Sequence, residues 1–354
     1  LWCDTDDAIR SWLADLAPGS PVYLDTEFMR ERTYWPQLAL VQVHDGQSIR
    51  LIDTTRVSAE ALSPLFQAHT LVMHACSEDL EAVAAFTGHY PARIEDTQIA
   101  AALGGEDMQL GYQKIVQMLM GVELPKGATR TNWLKRPLSD EQLHYAEDDV
   151  KYLPEVAAQL HDRLAELGRL PWWQEECDRL LAQASKEEKP EKAWRSVKGA
   201  ALLPDHARAA LSVLAPWRNR MARERNLPKS FVIKDAQLLE LARANRTDRG
   251  MLADVGLPPK CIRRDGEALL ALLEEGRTVT PPPPLPGPPD AREKKLAKTL
   301  RGKVGQVAEQ VGLKPDVLMR RRWLEALIRH PERVPEPLTG WREDIITKPL
   351  LELL

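Results

Sequence analysis

A chain of 354 residues, 44% hydrophobic and 28% charged, is long enough for two or three domains with cores of their own. Its four cysteines, Cys3, Cys76, Cys177 and Cys261, are dispersed with no C-x-x-C spacing, which speaks against a zinc or disulfide framework and for reduced thiols in a cytoplasmic setting. No apolar run approaches 18 residues, so no membrane helix is expected, and a net charge of −4 excludes a uniformly basic nucleic-acid binder.

Residues 21–57 alternate in the manner of strands, predicted at 22–25, 38–43 and 49–53, with Asp45-Gly46 as a turn between the last two. The first strand carries Asp25 and Glu27. Side chains at i and i+2 share one face of a strand, where two carboxylates repel each other and lose hydration. Two readings fit: a divalent cation compensates them, or the strand end dips into solvent. An apolar strand at 71–73 then leads to a helix over 78–86, with Ser77 as its N-cap and Asp79 in its first turn, where a carboxylate also suits the helix dipole. His74 and Cys76 read as core residues. A strand at 93–95 runs into a helix over 97–103, with Asp96 read as its cap, and 110–121 forms an amphipathic helix.

Lys126, Arg130, Trp133 and Arg136 precede the next helix. Cations and an aromatic ring in that place suit a grip on a single strand by phosphate contact and base stacking; packing of Trp133 under the loop with solvated cations fits equally. Ser139 and Gln142 have capping-box spacing. Leu143, Ala146, Val150 and Leu153 form the apolar face of the helix that follows, and Tyr145 and Asp149, four apart, share a neighbouring face. His144 and Asp149, five apart, diverge by roughly 140°.

The charged run 185–192 reads as an interdomain connection, and beyond it helices are predicted at 211–225, 235–244, 249–255 and 267–275. Residues 208–276 hold 13 basic and 9 acidic side chains, a net +4 that leaves −8 for the rest. Arg218, Arg220, Arg223, Arg225 and Lys229 form a dense basic stretch, read as RNA contacts rather than only a solvated face. Seven prolines in 278–289 predict a stiff polyproline spacer, and the remainder to Leu354 is again helical.

Taken in order, LDTEFMRERTYWPQLALVQ, HACSEDLEAV, IEDTQIAAAL, TNWLKRPLS and YAEDDVKYL resemble the DEDD 3′-to-5′ exonucleases, and most closely their ribonuclease D branch, over residues 21–153. H-Y-A-E-D-D also satisfies the His-type spacing of other branches; helix geometry favours Tyr145. The stretches WR, RNLP, FVI and GEALL after residue 216 resemble the HRDC domain. The resemblance implies an α/β ribonuclease H-like 3′-5′ exonuclease domain over 1–184, a linker at 185–205, a helical HRDC domain at 206–277, a proline-rich linker at 278–290 and a second helical HRDC-type domain at 291–354. It also implies two divalent ions, Mg²⁺ or Mn²⁺. Asp25 would bridge both, Glu27 and Asp149 would complete the first site, Asp79 would hold the second, and Tyr145 would orient the attacking water. The implied partner is RNA with a single-stranded 3′ end, such as precursor transfer RNA, cut to nucleoside 5′-monophosphates by a monomer. A DNA exonuclease of the proofreading or Werner type and a non-catalytic RNA-binding protein are the alternatives; retention of all five site residues argues against the latter.

Overall fold

The structure, a computed structural model, describes residues 1–125, 131–187, 189–244 and 246–354. It divides into two compact units: residues 1–29, 37–185 and 289–354 form one, and residues 30–36 and 186–288 the other.

The first unit is built on a six-stranded sheet of β1 (Trp2–Cys3), β2 (Pro21–Met29), β3 (Gln37–His44), β4 (Ile49–Asp53), β5 (Thr70–Met73) and β6 (Ile94–Asp96), in the order β1-β4-β3-β2-β5-β6. β2, β3 and β4 form an antiparallel meander, whereas β5 and β6 run parallel to β2 and β1 runs parallel to β4. β2 extends to Met29, past its expected end at 25, because β3 pairs with it from Tyr23↔His44 to Met29↔Gln37, with a register shift at Glu27/Phe28. Both carboxylates of the D-x-E motif therefore lie within paired strand. β5 accompanies β2 only as far as Tyr23, so the carboxylates emerge beyond the end of the parallel neighbour. In open α/β sheets, crevices at the carboxyl ends of strands are where ligands bind.

Helices α1 (Asp6–Asp15), α2 (Ala59–Ala68), α3 (Asp79–Thr87), α4 (Thr97–Leu103), α5 (Tyr112–Met120), α6 (Asp140–Lys151), α7 (Leu153–Glu166) and α8 (Leu170–Ala184) complete this part. The predicted capping box of α6 is present: Gln142 N donates to Ser139 Oγ at 3.2 Å, and Ser139 N to Gln142 Oε1 at 3.0 Å. α3 begins one residue later than expected, and Ser77 is not its cap. Glu78 occupies that position without a side-chain bond, because residues 75–78 form a tight turn in which Ser77 N bonds to Ala75 O.

The second unit consists of α9 (Asp205–Glu224), α10 (Lys229–Val232), α11 (Asp235–Arg243), α12 (Arg249–Asp254) and α13 (Pro259–Thr278) around Trp194, Leu211, Trp217, Leu238 and Leu269. A Cβ at Gly276 would meet the Ala210 backbone at 2.6 Å, so glycine is what lets α13 press against α9. Segment 30–36 belongs to this unit: Asn226 Oδ1 accepts the backbone N–H groups of Tyr34 and Trp35 at 3.0 and 3.1 Å. The proline-rich stretch is extended but is not a free spacer, for Arg208 Nε donates to Pro282 O at 2.6 Å and Leu285 packs against the core.

Residues 291–354 were expected as a separate domain, yet they share the core of the exonuclease sheet and its helices. They form α14 (Ala291–Val311), α15 (Pro315–Leu318), α16 (Arg321–Arg329) and α17 (Lys348–Leu351). Leu300, Val304, Val307, Trp323, Leu327 and Ile346 join one apolar cluster with Leu103, Leu110, Leu160 and Trp173. Arg169 donates to Leu103 O and Val311 O, tying the ends of α4 and α14. Trp172 stacks on Trp341 at 4.5 Å and 12°. The Arg342 guanidinium lies 4.0 Å from the Trp341 centroid and donates to Glu176 Oε1 at 2.5 Å and Val317 O at 2.9 Å. The physical reason for the difference is that amphipathic helices must bury their apolar stripes: α14 packs on α15 and α16, and the apolar surface they share is continuous with that of α4, α7 and α8.

Among the described residues, no helix is long and apolar enough to cross a membrane.

Arg342 is 3% exposed, so Arg342→Ala removes its stacking on Trp341 and its bonds to Val317 O and Glu176, leaving that partly buried carboxylate only Trp341 Nε1 at 2.9 Å and the more distant Arg179 at 3.6 Å. Urea unfolding should register a loss of about 3–5 kcal/mol. A chain ended at Pro288 bares the same apolar face, and its exonuclease part should lose cooperative unfolding; a truncated chain with an unchanged urea midpoint contradicts the shared core.

Candidate active site

Three elements converge at the carboxyl ends of β2 and β5. β2 presents Asp25 and Glu27 on the face covered by α6, and α6 presents Tyr145 and Asp149. Asp79 heads α3 and is 9% exposed. The turn that delivers it is held by Asp96. As expected, Asp96 caps α4 by accepting from Gln98 N at 2.8 Å; it also accepts from Ala75 N at 3.1 Å and Cys76 N at 3.0 Å. Ala75, at φ +60°, occupies the left-handed region that a Cβ disfavours, and these two amide bonds hold it there. On the other face of β2, Thr26 Oγ1 donates to Asp79 Oδ1 at 2.5 Å. A threonine between two acidic residues carries no signal of that role in the sequence.

The electrostatics of the cluster are one-sided. Burial, and then the charges of Asp149, Asp79 and Glu27, push the Asp25 carboxyl well above its ordinary value. Burial followed by Asp149 and Asp79 raises Glu27 to about 9. Burial raises Asp149 to about 7 against the opposing contact of the Tyr145 hydroxyl, and Asp79 to about 6 against its bond from Thr26. Among the described residues none of the four carboxylates forms an ion pair with a lysine, arginine or histidine. Asp149 Oδ2 is buried without a hydrogen-bond partner. Hard oxygen donors, crowded, dehydrated and without an ion-pair partner among the described residues, fit a hard divalent ion. They are not drawn into a ready ligand cage: among the described residues no three such groups are arranged around one point.

Tyr145 faces this cluster, and burial with the charges of Asp149, Glu27 and Asp25 pushes its phenol upward, so it stays protonated. His144 is exposed, with Nδ1 tied back to Asp140 O at 2.6 Å. Tyr112 was not singled out from the sequence; its hydroxyl accepts from Tyr152 N at 3.3 Å at the end of α6, and burial plus the charges of Asp149 and Asp25 raise its pKa. His74 contacts Thr97 Oγ1 at 2.9 Å and Leu110 O at 2.8 Å, in keeping with packing, and Cys76 is buried.

Three of the expected nucleic-acid contacts are structural instead. Trp133 is 1% exposed, packed against Leu40, Leu51 and Leu138 with its ring 6.1 Å from that of Tyr145, so neither face is open to a base. Arg136 forms a bidentate pair with Asp53, at 2.7 and 2.6 Å, and donates to Ala39 O and Trp133 O. Arg218, 3% exposed, pairs with Asp235 at 2.6 Å. Arg220 is exposed beside Glu224, Arg223 donates to the Tyr34 hydroxyl at 2.9 Å, and Lys229 is half-buried at the start of α10. Lys126 and Arg130 lie outside the described residues.

A sheet of this topology with carboxylates converging at its strand ends suits a 3′-5′ exonuclease, and residues 1–165 match the family model of that description while residues 207–273 match the HRDC domain. The chain belongs to the ribonuclease D family of exoribonucleases. It is 38% identical over 369 residues to ribonuclease D of Pseudomonas paraeruginosa, covering 100% of this chain and 97% of that one, and 35% identical over 366 residues to that of Escherichia coli, covering 99% and 97%. The crystal structure of Escherichia coli RNase D, described as an exoribonuclease involved in structured RNA processing, superposes with a TM-score of 0.92 at 34% identity, covering 100% of this chain and 98% of that one. The catalytic core of RRP6 from Trypanosoma brucei shares the fold, with a TM-score of 0.60 at 21% identity over 78% of this chain and 79% of that one.

The raised carboxyl pKa values have a thermodynamic sign. Between the unfolded value of about 4 and the folded values, the native state binds more protons than the unfolded chain, so stability falls as pH rises. For Glu27 the window extends to about 9. In chelator, Glu27→Gln should therefore raise the urea midpoint relative to the unsubstituted chain at pH 8.5 and leave it nearly unchanged at pH 4.5. Equal midpoints at both pH values would show that Glu27 is not strained by its neighbours. Asp96→Ala removes a cap and both amide bonds of the 75–76 turn, and should cost about 2 kcal/mol or more by the same measurement.

Proposed function

We propose that Asp25, Glu27, Asp79 and Asp149 hold two divalent ions, Mg²⁺ or Mn²⁺, and that the chain trims structured RNAs such as precursor transfer RNA from single-stranded 3′ ends, releasing nucleoside 5′-monophosphates. The observation that carries this reading is the cluster of four buried or half-buried carboxylates that, among the described residues, have no ion-pair partner. Bound divalent ions supply Lewis acidity and neutralise charge on the phosphate and the leaving 3′ oxygen. The side chains do the rest. Thr26 fixes the rotation of Asp79, and the β2–β3 ladder fixes Asp25 and Glu27. Tyr145 holds the attacking water by hydrogen bonding; a phenol kept protonated orients that water but does not take its proton.

The RNA reading is supported by the Escherichia coli relative and by a basic face on α14. Lys294, Lys298 and Arg301 follow one another at helical spacing, all exposed, and among the described residues neither lysine has an ion-pair partner. Gly302 and Gly305 lie on the same side, where a Cβ would meet nothing within 4 Å. Helix-interior glycine costs roughly 1 kcal/mol relative to alanine, so two of them where packing asks for neither suit the close approach of a phosphate backbone.

Strands of labelled RNA and DNA with Mg²⁺ or Mn²⁺ test the whole. RNA should be degraded from its 3′ end to mononucleotides, and chelator should abolish cleavage while the circular dichroism stays native; cleavage in excess chelator rules the metal reading out. Asp25→Ala should be inactive. Tyr145→Phe should lower kcat by roughly 100-fold and His144→Ala far less; the reverse order places the chain with the His-type branch. Joint replacement Lys294→Glu, Lys298→Glu and Arg301→Glu should raise KM for precursor transfer RNA by about tenfold and flatten its salt dependence, leaving short oligomers nearly unaffected. An unchanged KM would remove α14 from the RNA path.

A further inference from the structure

Gln42 stands directly opposite Asp25 in the β2–β3 ladder, with Leu51 of β4 on its other side. Opposed residues of an antiparallel pair project to the same face with Cβ atoms about 4.5–5.5 Å apart, so the Gln42 amide ends within reach of the Asp25 carboxyl. The residue is 0% exposed, and neither Oε1 nor Nε2 has a hydrogen-bond partner among the described residues. A buried amide with no partner forfeits its hydration for nothing, and an apolar side chain of the same size would fold better in its place. Packing does not account for a glutamine here. Asp149, another member of the carboxylate cluster, likewise has an orphaned atom, Oδ2.

We propose that Gln42 is a positioning residue for Asp25 in the metal-bound state: once the carboxylate is ionised, the Nε2–H that has no partner here turns to donate to its inner oxygen, fixes its rotation and leaves the outer oxygen turned toward the cation site. The choice of an amide has a physical reason. A lysine or arginine would supply the same donor but would neutralise the cluster and compete with a divalent ion, whereas a glutamine donates without adding charge. This inference rests on the reading that the carboxylates hold divalent ions.

The test uses the full chain with Gln42→Met, which keeps the length and removes the donor, and Gln42→Leu as a second variant. Three quantities are read: Mn²⁺ affinity by calorimetry, kcat and KM on RNA, and the urea midpoint in chelator. Outer partners of metal-ligating carboxylates typically contribute 10–100-fold to affinity or activity. The variants should bind Mn²⁺ about tenfold more weakly, lose kcat to a similar extent at constant KM, and be at least as stable as the unsubstituted chain in chelator. Unchanged Mn²⁺ affinity and kcat overturn the proposal. So does a lowered midpoint in chelator or failure of both variants to fold, since either makes the amide a structural group. If the unsubstituted chain itself binds no Mn²⁺, the carboxylate reading falls first and the role of Gln42 with it.

Discussion

The repulsion among four carboxylates is the constraint on which the rest of the exonuclease unit depends. Left to itself, a cluster of Asp25, Glu27, Asp79 and Asp149 would splay into water. It stays together because each member is fixed by something stiffer than its own rotamer preference: two by a strand laddered to β3, one by a helix with a reciprocal cap, one by a turn anchored through Asp96. The core beneath them is what opposes the unfavourable charge. That is the usual division of labour between a rigid scaffold and a strained site.

Most of this was legible in the sequence because it is written in local periodicities. The two-residue spacing of Asp25 and Glu27, the four-residue spacing of Tyr145 and Asp149 and the Ser139/Gln142 box each follow from the geometry of a single element. What was not legible is long-range. Arg136 looked like a phosphate contact because a free cation and a paired one are spelled alike; only the fold brings Asp53 to it, 83 residues away. Arg218 was misread for the same reason. Thr26 and Gln42 carry no pattern at all, since a polar residue on a strand declares its face but not its partner.

The C-terminal segment shows the same limit at the scale of a domain. The apolar stripe of α14 announces that the helix must be covered and says nothing of what covers it. It packs on α15 and α16 of its own segment, and that segment is tied to helices more than 100 residues earlier through the Arg169 bridge and the Trp172–Trp341 stack. A run of prolines before it suggested a mechanical break, but that stretch is fastened to the helical unit that precedes it.

Because residues 289–354 close the core begun by residues 1–185, the HRDC-containing unit is an insertion in the chain order. A ribosome makes the strands and the carboxylates first, yet the segment that completes their core is translated only after the inserted unit. The inserted unit, contiguous from 186 to 288 apart from the short segment 30–36, has nearly all of its partners in hand while the first unit still waits. Vectorial synthesis thus reverses the order in which the two cores are finished. A nascent chain that already carries all four carboxylates therefore lacks part of the core beneath them until residues 289–354 have been made.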